Sequence, residues 1–136
     1  MGICILKFSN KLNRYCQIKG NTQSDWLLGS LLVDSQGQIF IEWHLKWLYE
    51  KNSHVGGANC ICCQKVGNDI IITSEFDDQE FPDECIIPKQ TFVKLLEGWS
   101  EILNQLPPYV VIVHNGAELV ITAHDHNPLE PDLQSK

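Results

Sequence analysis

Six cysteines and five histidines are the side chains of this 136-residue chain best suited to chemistry. The densest group is Cys60-x-Cys62-Cys63. Structural zinc sites usually take their ligands from two spaced pairs, and a C-x-C-C run does not provide them. Alternation along a strand would also place Cys60 and Cys62 on one face and Cys63 on the other. We predict reduced thiols and no metal or other cofactor. The alternative is a metal- or thiol-dependent enzyme or regulator that uses these three cysteines.

The histidines and glycines do not form a recognisable catalytic motif. His124-x-His126 could bind a divalent metal, but it stands where a predicted strand runs into a tail that contains proline, so we predict no metal there. Nucleophilic catalysis needs a Cys or Ser beside an orienting His and a third group, and the sequence has no local signature of that kind. It also has no Gly-rich phosphate loop, and we predict that Gly56-Gly57 is an ordinary loop. The sequence therefore predicts a protein that is not an enzyme.

Charge is distributed unevenly along the chain. Residues 1–65 contain seven Lys/Arg and four Asp/Glu, whereas residues 66–136 contain three Lys and thirteen Asp/Glu. No basic residue lies between Lys65 and Lys89. Within this gap is the acidic segment, defined as residues 75–84, in which two phenylalanines stand among the acids. Such a surface suits the docking of a basic protein. The predicted partner-binding residues are Glu75, Phe76, Asp77, Asp78, Glu80, Phe81, Asp83 and Glu84.

Bulk composition excludes several other classes of function. A formal net charge of −7 and a pI of about 5.1 argue against direct binding of nucleic acid, which needs a concentrated basic surface. No apolar run approaches the length of a transmembrane helix. The first residues lack the basic and apolar regions of a signal peptide, so we expect a cytoplasmic protein. The length predicts a single domain over residues 1–136, with a frayed tail over 125–136.

The clearest predicted element is an amphipathic helix over residues 88–106. Pro88 suits its start, and Pro107-Pro108 ends it. Gly98 is predicted to lie on the polar face, where it would weaken the helix without removing a core contact. The apolar positions recur at steps of three and four residues and predict a single buried stripe. These positions are Phe92, Leu95, Leu96, Trp99, Ile102, Leu103 and Leu106.

Two hairpins are predicted around Gly-containing turns. Asn115-Gly116 stands between two β-branched runs, which is a strong signal for a two-residue loop. That loop would pair His114 with Ala117 and Ile112 with Leu119. A second hairpin is predicted over residues 60–76, around Val66-Gly-Asn.

The other predicted elements are short. Strands are expected over 2–8 and 84–87, and Asp25 is expected to cap a helix that runs through Leu32. Residues 40–51 favour a helix, and the alternative is a strand over 38–43. The predicted class is α+β, with an antiparallel sheet packed against one long and one or two shorter helices. Three of the four tryptophans, at 26, 43 and 47, are expected to be mostly core, with one of them exposed at an interface.

The order of elements over residues 84–122 has a known counterpart. A short strand leads into P-K-Q-T-F-V-K-L-L-E-G-W-S-E-I-L, and P-P-Y-V-V-I-V-H-N-G-A-E-L-V-I-T follows. This order resembles the immunity proteins of bacterial polymorphic toxin systems, including those of contact-dependent growth inhibition. The resemblance implies a small cytosolic protein that binds a cognate toxin domain, often a nuclease, and blocks it. An acidic scaffold subunit that docks another basic protein is the remaining alternative.

Overall fold

A computed structural model describes the greater part of the chain. Within the residues that it describes, the chain forms eight β-strands and three α-helices. The described residues are 2–8, 16–20, 22–35, 37–51, 55–58, 60–75, 83–105, 107–115 and 118–126. In chain order the elements are β1 (Gly2–Phe8), β2 (Cys16–Gly20), α1 (Gln23–Ser35), α2 (Gln38–Trp47), β3 (Val55–Ala58), β4 (Ile61–Val66), β5 (Asp69–Ser74), β6 (Cys85–Pro88), α3 (Lys89–Leu103), β7 (Tyr109–Asn115) and β8 (Glu118–His124).

The strands divide into two antiparallel sheets of four. The first sheet has the order β2-β1-β7-β8, and the second has the order β3-β4-β5-β6. Helix α3 follows β6 of the second sheet and precedes β7 of the first, so it links the two sheets. The α+β class predicted from the sequence is confirmed. The helices within the described residues are too short or too polar to cross a membrane.

Helix α1 lies between the two sheets and forms the centre of the core. It contacts β1 and β2 of the first sheet and all four strands of the second. Four leucines along it are at most 1% exposed. These are Leu27, Leu28, Leu31 and Leu32. A helix that is apolar around most of its circumference must be covered on more than one side, and packing between two sheets satisfies that requirement.

Helix α3 packs its predicted stripe against the core as far as Leu103 and approaches β8 closely at Gly98. The last predicted position of the stripe, Leu106, lies outside the described residues. Trp99 is 1% exposed, and its ring stacks on that of Phe8 with 6.5 Å between centroids. The prediction that Gly98 lies on a polar face away from contacts is wrong. A Cβ added at Gly98 would overlap the Cγ2 of Ile121 on β8, so the missing side chain allows the helix to rest on that strand.

The hairpin β7–β8 forms as predicted, but its register differs by two residues. His114 pairs with Leu119 and Ile112 with Ile121, and the last pair is Asn115 with Glu118. The predicted pairing of His114 with Ala117 is therefore wrong, because Asn115 extends the ladder instead of entering the loop. A shift of two residues leaves each side chain on its original face, which preserves the predicted core.

The hairpin β4–β5 also forms, and it turns at Gly67, where φ is +59°. That left-handed conformation favours glycine. Helix α2 confirms the predicted helix in this region, but it begins at Gln38 and ends at Trp47 instead of covering about 40–51. It excludes a strand over 38–43.

Strand β3 corrects the prediction that Gly56-Gly57 is a loop. The two glycines pair with Cys63 and Cys62 of β4. A Cβ at Gly56 would lie 3.0 Å from the His44 ring, so a larger residue would press on α2. Glycine is rare inside strands, but here it permits a helix to approach the sheet closely.

Candidate protein-docking surface

The acidic segment connects β5 to β6, and both of its ends are fixed to neighbouring elements. The N–H of Glu75 donates to the carbonyl of Cys60 at 2.8 Å. At the other end, the Ser24 hydroxyl at the start of α1 donates to the carbonyl of Glu84 at 2.5 Å. The side chains of Glu75, Asp83 and Glu84 are exposed. The segment therefore presents carboxylates at one end of the second sheet.

Three of the eight predicted docking residues are placed by the structure, and five lie outside the described residues. The placed residues share one end of the second sheet because β5 ends there and β6 begins there. The role of the acidic segment in binding stays a prediction. The residues outside the described part are Phe76, Asp77, Asp78, Glu80 and Phe81.

The first turn of α1 is closed by reciprocal hydrogen bonds. The N–H and hydroxyl of Thr22 both donate to Asp25 Oδ2 at 3.1 Å, and the Asp25 N–H donates to Thr22 Oγ1 at 3.2 Å. This is a capping box, for which the spacing Thr-x-x-Asp was the sequence signal. The prediction that Asp25 itself caps the helix is therefore wrong, because Thr22 occupies the position just before α1.

The same carboxylate holds α1 against the first sheet. Asp25 Oδ1 lies 2.7 Å from Nε2 of His114 on β7. A Cβ at Gly2 of β1 would overlap both groups, so glycine leaves space for this contact. Asp25 is 3% exposed, and both of its carboxylate oxygens have partners. A buried carboxylate satisfied in this way acts to position the helix.

The three cysteines of the C-x-C-C run have different surroundings. Cys60 lies in a turn before β4, Cys63 is buried in the core, and Cys62 lies on the opposite face of β4. The described residues contain no group of three or more His, Cys, Asp or Glu side chains that could hold a metal ion. In the His124-x-His126 pair considered above, His124 Nε2 lies 2.7 Å from the hydroxyl of Thr122.

Burial keeps the core thiols protonated. It raises the pKa of Cys85 to about 12, with a further contribution from the negative charge of Asp25. Burial also raises the pKa of Cys63, and the neighbouring Cys62 and Cys85 add to that effect. The pKa of Cys62 is raised by burial and then by Glu75. Because the thiolate is the nucleophile and the metal ligand, these three cysteines are poorly suited to either role.

His44 is fully engaged in holding α2 against β3. Its Nδ1 lies 2.9 Å from the carbonyl of Phe40, and its Nε2 accepts a hydrogen bond from the Gly57 N–H at 2.9 Å. The ring is therefore neutral, with its proton on Nδ1. Burial lowers its pKa, although the hydrogen bond to Phe40 opposes that shift. The sequence does not reveal this role, because the group that donates to His44 Nε2 is a backbone N–H on another element, β3.

The tryptophans separate into buried rings and one exposed ring. Trp47 and Trp99 are buried, and Trp26 is partly buried. Trp43 is 49% exposed and stacks on Trp47, with 6.2 Å between ring centroids. The prediction that one tryptophan is exposed is confirmed, and it is Trp43. That this tryptophan lies at an interface stays a prediction.

Comparison with known proteins adds no relative to these observations. No protein-family model matches the chain, and no curated protein or solved structure matches it.

Proposed function

We propose that this protein is a non-enzymatic immunity protein that binds a basic toxin domain and neutralises it. The acidic segment would lie over the toxin's substrate site in place of its substrate. A nuclease is the class of toxin that fits best, because a site that binds nucleic acid is basic. The observation that carries the proposal is the acidic segment itself, which has no compensating basic residue from position 66 to 88.

The attachment of the acidic segment supports this proposal. Its ends are held by the bonds from Glu75 to Cys60 and from Ser24 to Glu84. A docking surface with fixed ends loses less conformational entropy on binding than a free tail does. Exposed carboxylates on such a surface would steer a basic partner toward it.

The state of the nucleophilic side chains supports a role without catalysis. Raised pKa values keep Cys63 and Cys85 protonated at neutral pH, and both nitrogens of His44 are already bonded. A thiol enzyme would need a thiolate beside a histidine that is free to accept a proton. The thiol-dependent alternative therefore has less support than docking.

The test is neutralisation of a toxin in cells and in solution. The probe is the C-terminal domain of the protein encoded directly upstream of this chain, produced in an inducible strain. We expect co-expression of the chain to restore growth, and the purified chain to block cleavage of DNA or RNA by that domain. Growth arrest that the chain does not relieve, or an upstream domain without toxicity, would contradict the proposal.

A charge-matched pair of variants shows which surface is responsible. The double change Asp77→Asn with Asp78→Asn removes two charges from the acidic segment. The control, Glu97→Gln with Glu101→Gln, removes two charges from the exposed side of α3. We expect protection to weaken in the first variant and to persist in the second. Equal protection by both would show that the acidic segment is not the docking surface.

A further inference from the structure

Helix α2 carries a stripe of exposed side chains on the side turned away from the core. Ile39 is 83% exposed, Trp43 is 49% exposed and Tyr49 is 81% exposed. Tyr49 stands just beyond the end of α2, where its N–H donates to the carbonyl of Lys46 and continues the helical winding. The exposed positions recur at steps of three and four residues, so they share one side of the helix. The α2 stripe is defined as Ile39, Glu42, Trp43, Lys46, Tyr49 and Glu50, all of which are exposed.

The ring of Trp43 is already held in position on the α2 stripe. It stacks on the buried Trp47, and it meets the ring of His44 edge-on with 4.6 Å between centroids. A Cβ at Gly56 of β3 would lie 3.2 Å from the Trp43 ring, so the strand supports this ring from the core side. A fixed aromatic ring loses little side-chain entropy when a partner covers it, and tryptophan is a common anchor of protein interfaces.

The two charged residues in the middle of the α2 stripe have opposite signs. Glu42 and Lys46 stand four residues apart, which is a spacing at which a helix often forms an ion pair. Among the residues that the structure describes, the ion pair formed is His114 with Asp25, and Glu42 and Lys46 do not pair with each other. Both charges are therefore available to a partner whose own charges alternate in the same way.

The α2 stripe is complementary to its own reverse. Position 44 is the midpoint between Glu42 and Lys46, and it is also the midpoint between Ile39 and Tyr49. When two α2 helices lie antiparallel about a two-fold axis at that level, Glu42 faces Lys46 of the second copy, and Lys46 faces its Glu42. Ile39 of each copy likewise faces Tyr49 of the other. One two-fold contact thus provides two ion pairs and two apolar pairs.

The remaining members of the α2 stripe fit the same arrangement. Trp43 lies one residue from the midpoint, so the two rings meet beside the axis. Glu50 comes opposite Gln38 of the second copy, which is uncharged and bonded to Ser100. Lys65 offsets the charge of Glu50, because its Nζ donates to the Glu50 carbonyl at 2.6 Å. No two like charges of the stripe then face each other.

Charges at the two ends of the α2 stripe also match when the helix is reversed. The exposed Glu101 follows Ser100 and therefore adjoins the end of α2 at Gln38. The exposed Lys51 follows Glu50 at the other end. The two-fold axis brings opposite ends of the two helices to the same level, so Glu101 of one copy lies at the same end as Lys51 of the other. These opposite charges favour the antiparallel arrangement.

We propose that the α2 stripe binds a second copy of this chain, with the two α2 helices antiparallel about a two-fold axis at the level of residue 44. The 10 residues of α2 extend about 15 Å. A contact of this length is smaller than the standard interface of about 800 Å² on each partner. Standard interfaces reach micromolar affinity or tighter, so we expect a weak dimer with a dissociation constant of roughly 0.1 mM. The dimer does not depend on the proposed function.

Sedimentation equilibrium of charge-reversed variants tests this arrangement. The purified full chain is measured from about 0.02 to about 1 mM at about 0.15 M salt. Glu42→Lys would place lysine opposite Lys46 of the second copy twice in each dimer, and Lys46→Glu would place acids opposite each other in the same way. We expect each reversal to weaken self-association at least about fivefold. Both reversals in one chain restore opposite charges and should return the dissociation constant to within about twofold of the wild type.

Mixing the two single variants tests the pairing itself. In a mixed dimer of Glu42→Lys with Lys46→Glu, both facing pairs have opposite charges again, so the mixture should associate more strongly than either variant alone. The controls are Glu97→Lys and Lys94→Glu on the exposed side of α3, which make the same changes of net charge. We expect each control to change self-association less than about twofold. Circular dichroism verifies folding, and Ile39→Ser replaces a reversal that does not fold, with the same expected weakening.

Four results would overturn this inference. They are a wild-type chain that stays monomeric to about 1 mM, reversals that act no more strongly than their α3 controls, a double reversal that does not restore association, and a mixture that associates no better than its components. Self-association that persists in every reversed variant would place the contact between copies on a surface other than the α2 stripe.

Discussion

Replacing His44 by phenylalanine tests whether this ring holds α2 against β3, which is an edge strand of the second sheet. The substitution keeps an aromatic ring in a site that is 2% exposed, but it removes both ring hydrogen bonds. The carbonyl of Phe40 keeps its helical partner, whereas the partly buried Gly57 N–H is left without its acceptor. An unsatisfied buried donor costs about 1–3 kcal/mol, so we expect His44→Phe to lower the free energy of unfolding by that amount.

The pH dependence of that loss follows from the lowered pKa of His44. The unfolded chain binds a proton at this residue near pH 6.5, and the folded chain binds it only at lower pH. The contribution of His44 to stability is therefore fully present above about pH 6.5 and declines as the pH falls toward the folded-state pKa. The destabilisation caused by His44→Phe should be larger at about pH 7.5 than at about pH 5.5, since the wild type alone loses this contribution.

Urea denaturation of the wild type, His44→Phe and His126→Phe at both pH values measures these effects. His126 is exposed and serves as the control for removal of a histidine. The reasoning is refuted if His44→Phe loses less than about 0.5 kcal/mol at the higher pH, or if its deficit is the same at both values.

Other substitutions and reagents test the core. Trp99→Ala should lower the free energy of unfolding by about 3–5 kcal/mol in urea denaturation, and a loss below about 1 kcal/mol would show that the stripe does not face the core. Gly98→Ala should destabilise the wild type, because the added Cβ overlaps Ile121. In an Ile121→Ala background that overlap is gone, so the higher helix propensity of alanine should stabilise the protein by up to about 1 kcal/mol. Destabilisation in both backgrounds would rule out the overlap as the cause. Iodoacetamide at about pH 8 should leave Cys63 and Cys85 unmodified in the folded protein and alkylate them in urea, as measured by peptide mass spectrometry. Rapid labelling of these two cysteines in the native protein would contradict their raised pKa values.

The sequence was sufficient for the elements whose periodicity is local. The stripe around Trp99, the turn at Gly67 and the strands that flank it follow from spacing and turn chemistry alone. Strand β3 was missed because Gly56-Gly57 has low strand propensity. Glycine is present at Gly56 because α2 packs closely there, and at Gly57 because φ is +120°. The contact at Gly98 was missed because it depends on which element lies opposite the helix.

The surface of the second sheet could be predicted only in part. The acidic segment is visible in the sequence because its charges are contiguous. The apolar row on the outer face of this sheet is not visible in the sequence, because Val55, Ile71 and Ile86 come from three strands that are brought together only by the register of the sheet. The sequence shows Ile70, Ile71 and Ile72 as equivalent apolar residues, whereas β5 turns the first and third inward and the second outward.

Association kinetics at two salt concentrations test the central claim most directly. The purified chain is bound to the immobilised C-terminal domain of the protein encoded upstream, which is the proposed toxin, and the double changes at Asp77/Asp78 and Glu97/Glu101 are compared. Exposed charges are screened beyond about 8–10 Å at physiological ionic strength, so steering by the acidic segment should make the wild-type on-rate fall as salt rises. We predict that Asp77→Asn with Asp78→Asn slows association and removes most of its salt dependence, while Glu97→Gln with Glu101→Gln changes neither. On-rates and salt dependence that are the same in both variants would contradict the claim that the acidic segment recognises the partner.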